Sequence, residues 1–235
     1  HRLMAKKVKK DQATEVLENV ESSLGRAEQF IEDNRNPLLI GTGVILVIVL
    51  AIYGYKKFIA DPLELEAQQE MFMAQKMFEQ DSLNLALNGQ GASMGFIDIA
   101  DEYGSTKAGN LANYYAGICY LQLGDFENAI TYLDDFSSSD QVLSVVAKGA
   151  IGDAFLELNQ PEEALEFYER ATKTTSNDFA VPIYLNKAAK TAEMINDYKS
   201  ALKFYQRIKA EFPESQEAND VDKHIAYAET KLSYQ

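Results

Sequence analysis

The sequence predicts an all-α protein with three parts: an N-terminal amphipathic helix, a single transmembrane helix and a C-terminal solenoid of helical repeats. Three observations support this prediction. An acidic N-terminal segment repeats apolar residues at helical spacing, an uncharged apolar stretch follows it, and three similar segments then recur at intervals of 35 and 37 residues. Because a period of this length is typical of stacked helix pairs, the body of the chain is predicted to be a repeat array.

The composition argues against several classes of function. The chain has 235 residues, of which 46% are hydrophobic, so it can bury a folded core. Its formal net charge of −14 argues against a nucleic-acid-binding surface, since such surfaces cluster Lys and Arg. A single cysteine, Cys119, rules out an intrachain disulfide and a cysteine-based metal cluster.

Residues 1–36 are predicted to contain an amphipathic helix that docks on another protein. Between Asp11 and Asn34, apolar residues recur at spacings of 4, 3, 4, 3 and 4, which is a heptad stripe. Its polar face is acidic, whereas helices lying on anionic lipid favour Lys and Arg there. We expect Leu17 and Leu24 to contact the partner, with a helix lying flat on the inner leaflet as the alternative. The stripe consists of Ala13, Leu17, Val20, Leu24, Ala27 and Ile31.

A transmembrane helix is predicted over residues 37–58. Leu38 to Tyr55 is a run of 18 residues without a charge, and a helix of that length reaches about 27 Å, close to the thickness of a bilayer core. A buried soluble helix of this length would normally show a polar stripe, and this one has none. A cleaved signal peptide would have a shorter apolar region nearer the N-terminus, whereas 37 residues precede Leu38. We therefore expect a permanent anchor.

The charges that flank this helix predict its orientation. Seven Lys or Arg residues precede the apolar run, whereas only Lys56 and Lys57 follow it directly. Basic flanks are retained in the cytoplasm, so the N-terminus is expected there. Residues 61–235 contain 29 acidic and 13 basic residues and are expected on the other side. In a bacterium this predicts an inner-membrane protein with a periplasmic body.

Three helix pairs are predicted over residues 109–215. The segments "YLQLGDFENAITYL", "FLELNQPEEALEFY" and "AEMINDYKSALKFY" align on Ala129, Ala164 and Ala201. Small residues are expected where the two helices of a pair cross, with large ones filling the space beside them. The small residues stand twelve positions before the shared alanine and the large ones four after it: Gly117, Gly152 and Ala189, then Leu133, Tyr168 and Tyr205. Since no pair can bury its apolar face alone, stacking is expected to build one continuous core.

The turn inside each pair carries signals for the end of one helix and the start of the next. Gly124, Asn159 and Asn196 suit the left-handed conformation that terminates a helix. The start of the second helix is indicated by the capping residues Asp125 and Asp197 and by Pro161, which fits a first helical turn.

Less regular segments flank the three pairs. Residues 61–108 are predicted as a degenerate first repeat, with a helix from Leu63, a loop over "LNLALNGQGASM" and a second helix from Gly95. Residues 216–235 are predicted as a capping helix whose inward face is formed by Ala218, Val221, Ile225 and Ala228. Atypical terminal units are expected in solenoids.

Residues that could support catalysis are scattered along the sequence. His224 has no second histidine near it and no Glu at metal-binding spacing. The acidic pairs Asp134–Asp135 and Glu162–Glu163 fall at helix ends, where capping explains them. The glycines of "GQGASMG" lack the lysine and the preceding strand of a phosphate-binding loop. We expect no enzymatic activity, no metal and no cofactor.

The repeat spacing resembles the tetratricopeptide repeat, which has a period of about 34 residues. The chain departs from that pattern at Asn113, where Trp is usual, and has the closing proline only at Pro213. The resemblance implies stacked helix pairs whose first helices form a concave, partner-binding face. Positions matched to the family pattern place six residues on that face: Tyr114, Ile118, Gly149, Asp153, Asn186 and Lys190.

The order of cytoplasmic helix, single span and periplasmic repeats resembles the YfgM-type ancillary subunits of the bacterial Sec translocon. That resemblance implies a role beside SecYEG and a PpiD-type membrane-anchored prolyl isomerase, where the protein would assist newly exported polypeptides. Two alternatives stay open, namely a general envelope scaffold of a division or secretion complex and a free-standing periplasmic holdase. A scaffold requires a fixed partner surface, whereas a holdase requires an exposed apolar groove.

Overall fold

The chain divides between Ala60 and Asp61 into two compact units. The computed structural model describes residues 24–26, 28–173 and 177–234. In the first unit, helical residues at 24–26 and 28–33 precede helix α1, Arg35–Tyr55. A π-helical turn, Lys56–Ala60, ends this unit.

Helix α1 is apolar on every side. Its large apolar side chains are between 41% (Leu38) and 68% (Ile40) exposed, and none is buried. By length and composition, the helical segment Arg35–Glu79 contains a window that is long and apolar enough to cross a membrane. A signal sequence meets the same test, whereas the core helix of a soluble protein would be mostly buried. The exposed apolar surface therefore favours lipid contact over a place in a soluble core.

The π-helical turn lies just before Pro62, and the proline explains its position. Proline has no N–H to donate, and its ring clashes with the carbonyl group four residues earlier, here that of Phe58. A π-helical turn redistributes the local hydrogen bonds around such a defect. Regular α-helix resumes at Asp61.

The second unit is an array of α-helices that pack largely in chain order. It opens with α2, α3 and α4, continues with three helix pairs, and closes with a 3-10 turn and α11. The bounds are α2 Asp61–Glu79, α3 Leu83–Asn88 and α4 Phe96–Glu102; α5 Lys107–Leu123 with α6 Phe126–Asp135; α7 Gln141–Glu157 with α8 Pro161–Lys173; α9 Val181–Met194 with α10 Tyr198–Glu211; the turn Gln216–Ala218; and α11 Val221–Ser233.

Helix α3 lies in the segment predicted to be a loop, so that prediction is wrong there. Ala86 and Leu87 are buried, and α3 packs on α2, α4 and α5. A helix of six residues is too short to display a helical hydrophobic period. The first repeat is therefore irregular because it contains a third helix, which lies between α2 and α4 in the chain and packs on both.

A side chain of α2 joins this irregular repeat to the first regular pair. The backbone N–H of Lys107, at the start of α5, donates a 2.7 Å hydrogen bond to Oε2 of Glu64. The neighbouring Thr106 accepts from the N–H of Gly109 through Oγ1 at 2.9 Å. Two side chains thus satisfy backbone donors at the start of α5, and one of them comes from 43 residues earlier in the chain.

The turns inside the three pairs confirm the sequence signals. The φ angles of Gly124, Asn159 and Asn196 are 81°, 58° and 61°, all in the left-handed region. Asp125 accepts a hydrogen bond from the N–H of Asn128, and Asp197 accepts one from the N–H of Ser200. Helix α8 begins at Pro161, as predicted.

The helix crossings also confirm the sequence alignment. A Cβ atom on Gly117 would collide with the side chain of Leu133, and one on Gly152 would lie 2.6 Å from Cε1 of Tyr168. In both pairs the small residue of the first helix therefore faces the large residue of the second. The two aligned positions identified in the sequence are packing partners.

The buried side chains form three clusters along the array, where the sequence predicts one continuous core. One cluster joins α2, α3, α4 and α5, a second joins α6 and α7, and a third extends from α7 to α11. Phe155 packs against both the second and the third cluster. Tyr114, which packs on the second cluster, and Tyr115, which packs on the first, have ring centroids 5.6 Å apart, so the three clusters adjoin one another in chain order.

The capping segment is a 3-10 turn followed by a helix rather than one helix. The inward residues Val221 and Ala228 are buried, and Ala218 and Ile225 pack against the third cluster. The ring of His224 stacks on Tyr205 with centroids 4.9 Å apart, so this histidine contributes to the packing of α11 on α10.

Candidate protein-binding groove

A groove with a volume of about 730 Å³ opens where the first helices of the three pairs end. The C-terminal halves of α5, α7 and α9 line it, together with Gly124 after α5, Phe126 at the start of α6 and Tyr168 of α8. The lining residues include Gln122, Glu157 and Met194, which occupy the same position of the repeat in the sequence alignment. We call this surface the groove.

The groove presents apolar side chains to solvent. Leu121, Phe126 and Leu156 are half-buried along it, and Met194 at its edge is 63% exposed. Methionine is flexible and polarisable, and it is common on surfaces that bind varied apolar partners. A partner that covers these side chains would therefore be stabilised on the groove by the burial of apolar surface.

An ion pair crosses the groove between the second and third repeats. Nζ of Lys187 lies 2.7 Å from both carboxylate oxygens of Asp153. The phenol of Tyr168 donates a 2.6 Å hydrogen bond to Oδ1 of the same carboxylate. Burial, with a smaller contribution from this carboxylate, raises the pKa of Tyr168, so the phenol stays protonated as a donor.

Aromatic rings pack against both members of this ion pair. The rings of Tyr168 and Tyr184 stack with centroids 6.1 Å apart, and Nζ of Lys187 lies 5.3 Å from the centroid of the Tyr184 ring. A Cβ atom on Gly149 would collide with the Tyr184 ring. Gly149 therefore creates the space in which Tyr184 packs, and it is itself buried.

Of the predicted concave-face residues, two line the groove. Asp153 and Lys190 do so, whereas Asn186 is half-buried elsewhere on α9. Tyr114 and Ile118 on α5 are half-buried against the second cluster. The Tyr114 ring lies 5.2 Å from that of Phe136, centroid to centroid.

The residues predicted to dock on a cytoplasmic partner lie in the first unit. Leu24 is 64% exposed, which leaves its side chain available for contact. Leu17 lies outside the residues that the structure describes.

Sequence reasoning missed most of the groove lining. Lys187 follows Asp153 by 34 residues, about one repeat period, and the opposite charges at that separation were a usable signal. Met194 was harder to identify, because the aligned positions of the other repeats hold the polar residues Gln122 and Glu157. Because this position is polar in two repeats, the alignment predicts a solvent-facing residue in the third and does not indicate that Met194 binds a ligand.

The side chains that line the groove offer apolar contact and hydrogen bonding to a ligand. In the described part of the chain, no group of three or more His, Cys, Asp or Glu side chains could hold a metal ion. Cys119 is fully buried on α5, and burial raises the pKa of its thiol to about 12, which disfavours the nucleophilic thiolate.

Two segments of the chain match family models of the tetratricopeptide repeat, residues 111–139 and residues 150–215. Both lie within the predicted three repeats. A search of curated proteins gives no match.

Among solved structures, the array is similar to two crystal structures of a Podosopora anserina protein described as a putative kinesin light chain with nearly identical TPR-like repeats. One of them, a single-substitution form, aligns with 72% of this chain and 88% of its own length, at 11% identity and a TM-score of 0.51. The other has the same identity and coverage and a TM-score of 0.50. At this identity the likeness concerns the fold alone. Together with the family matches, it identifies the C-terminal body of this chain as an all-α domain of tetratricopeptide-like repeats.

Proposed function

We propose that this protein is a membrane-anchored partner protein whose periplasmic repeats bind other proteins beside the bacterial Sec translocon. One observation carries the binding role: a repeat array leaves an apolar groove open to solvent at the ends of its first helices. Tetratricopeptide repeats imply protein partners, and the groove gives such a partner a surface to cover.

The anchor supports a location at the membrane. Helix α1 exposes apolar side chains all round and has the length of a bilayer core. The excess of basic residues before the helix favours a cytoplasmic N-terminus and a body on the opposite side. Docking faces on both sides of a membrane would let one chain hold a membrane complex from each side.

The choice of partner rests on the order of parts along the chain. A short helical segment, one span and a repeat array are the architecture of the YfgM-type subunits, so we propose SecYEG and a PpiD-type prolyl isomerase as partners and newly exported polypeptides as clients. A holdase that binds unfolded chains without a fixed partner is the second candidate, favoured by the exposure of Met194 in the groove.

Affinity purification of the full chain in mild detergent, followed by mass spectrometry, tests the proposal. We expect SecYEG subunits and a prolyl isomerase to be enriched over a matched sample in which Met194→Ser alters the groove. Recovery of a division or outer-membrane secretion complex instead would favour the scaffold. Recovery of only a broad set of unfolded clients would favour the holdase.

A further inference from the structure

We propose that the groove has one fixed wall and one movable wall, so that its width changes while each repeat keeps its structure. The first junction, between the pair α5–α6 and the pair α7–α8, allows the two pairs to shift. The second junction, between α7–α8 and α9–α10, holds its pairs in a fixed orientation. This inference concerns the motion of the array and does not depend on which protein binds.

A polar network crosses the second junction. The carboxylate of Asp153 on α7 accepts hydrogen bonds from the phenol of Tyr168 on α8 and from Nζ of Lys187 on α9. A further side chain of the third pair, Arg207, donates a 3.4 Å hydrogen bond to the carbonyl of Thr172 at the end of α8. Because hydrogen bonds weaken steeply when they are bent or stretched, these contacts fix the orientation of the third pair on the second.

An aromatic ring of the third pair also resists sliding at the second junction. The ring of Tyr184 stacks on that of Tyr168 with centroids 6.1 Å apart. The same ring occupies the space that a Cβ atom on Gly149 would fill, and its phenol donates a 3.5 Å hydrogen bond to the carbonyl of Val146. A shift of α9 along α7 would therefore push this ring against the backbone of α7.

Apolar residues replace the polar network at the first junction. In the repeat alignment, its three positions are occupied one repeat earlier by Ile118, Leu133 and Ala150. All three belong to the second buried cluster or pack against it. Among the described residues, no hydrogen bond, ion pair or ring stack joins α5 or α6 to α7 or α8. Since apolar contact has no preferred direction, helices packed in this way can slide by about 1–2 Å.

The groove spans both junctions, so a shift at the first one changes its width. Leu121 and Phe126 line the groove from the first pair, whereas Leu156 and Met194 line it from the second and third pairs. The second and third pairs move as one body because the polar network joins them. A shift of the first pair therefore moves Leu121 and Phe126 towards or away from the opposite wall.

Distances between spin labels on the full chain in detergent test the proposal. Thr131, Glu166 and Lys203 are exposed and occupy the same aligned position on α6, α8 and α10. Thr131→Cys with Glu166→Cys spans the first junction, and Glu166→Cys with Lys203→Cys spans the second. We expect the distance distribution across the first junction to be broader by at least about 2 Å, the size of a shift between packed helices. Cys119 is buried and stays in place, and the chain without introduced cysteines gives the background labelling.

A variant of the network tests why the second junction is fixed. Lys187→Met removes the cation but keeps a long side chain, and it is expected to broaden the distribution across the second junction while leaving the first unchanged. Lys190→Met is the matched control, because Lys190 also lines the groove from α9 but forms no ion pair within the described residues. It should change neither distribution. Circular dichroism shows whether each variant is folded.

Equally broad or equally narrow distributions at the two junctions would overturn the proposal. So would a folded Lys187→Met variant whose second junction keeps its narrow distribution. The comparison of the two junctions needs no change in the network, so it decides the matter even if Lys187→Met does not fold. The result is also separate from the choice of partner: if purification recovers no translocon but the two junctions differ as described, the Sec proposal fails and this one stands.

Discussion

At the scale of single residues, the groove depends on glycines that leave room for tyrosine rings. Gly149 lies against Tyr184, and Gly152 lies against Tyr168. The phenol of Tyr168 donates a hydrogen bond to Asp153. The glycines cost helix stability, since glycine is unfavourable in a helix interior by roughly 1 kcal/mol relative to alanine. The packing of two large rings that they permit outweighs this cost.

Substituting one of these glycines tests the crossing. We expect Gly152→Leu to destabilise the array by about 1–3 kcal/mol, because the new side chain must displace the Tyr168 ring. The measurement is thermal unfolding of the full chain in detergent by circular dichroism. Ala226→Leu on the exposed face of α11 is the control and should leave the midpoint unchanged. An unchanged midpoint for Gly152→Leu would show that Tyr168 does not pack there.

The thiol of Cys119 should report the integrity of the buried cluster that joins α2, α3, α4 and α5. Because burial raises its pKa from 9.0 to about 12, the neutral thiol favours the folded state at every pH below about 9, and this contribution is lost as the pH rises towards 12. We expect almost no maleimide labelling of the folded chain at neutral pH and rapid labelling after denaturation. Rapid labelling of the folded chain would contradict the burial of this residue.

At the scale of helices, the sequence predicted what local chemistry determines. Left-handed residues, aspartate caps and Pro161 marked the turns correctly, because each acts on backbone groups within a few residues. Helix α3 was missed, because what stabilises it is the burial of Ala86 and Leu87 by distant helices. The Asp153–Lys187 pair was missed for a related reason, since it forms only after two repeats have stacked.

The N-terminal helix gives a prediction at this scale. Leu17→Glu combined with Leu24→Glu should weaken binding of the cytoplasmic partner, because both changes put charge into the apolar stripe. The repeats should keep their stability, because distant sites contribute independently. Co-purification yield and thermal unfolding of the full chain measure the two effects. A lowered unfolding midpoint for the repeats would contradict the independence of the two parts.

At the scale of the whole molecule, orientation is the feature that composition predicts most directly. Residues 61–235 are expected outside the cytoplasm, because the basic residues concentrate before Leu38. In intact cells, protease should leave this part of the chain uncut, and opening the outer membrane should expose it. Activity of a cytoplasmic reporter fused to the C-terminus would show that the repeats lie in the cytoplasm, which contradicts the predicted orientation.

A photo-crosslinking amino acid at position 194 of the full chain in living cells tests the central claim, that the groove holds protein, most directly. Met194 is exposed in the groove, and Tyr234, 84% exposed at the end of the array, provides a matched position outside it. We expect position 194 to yield discrete crosslinks to translocon or prolyl isomerase subunits, and position 234 to yield few or none. Crosslinking at 234 that equals or exceeds that at 194, or the absence of any protein crosslink at 194, would contradict the account.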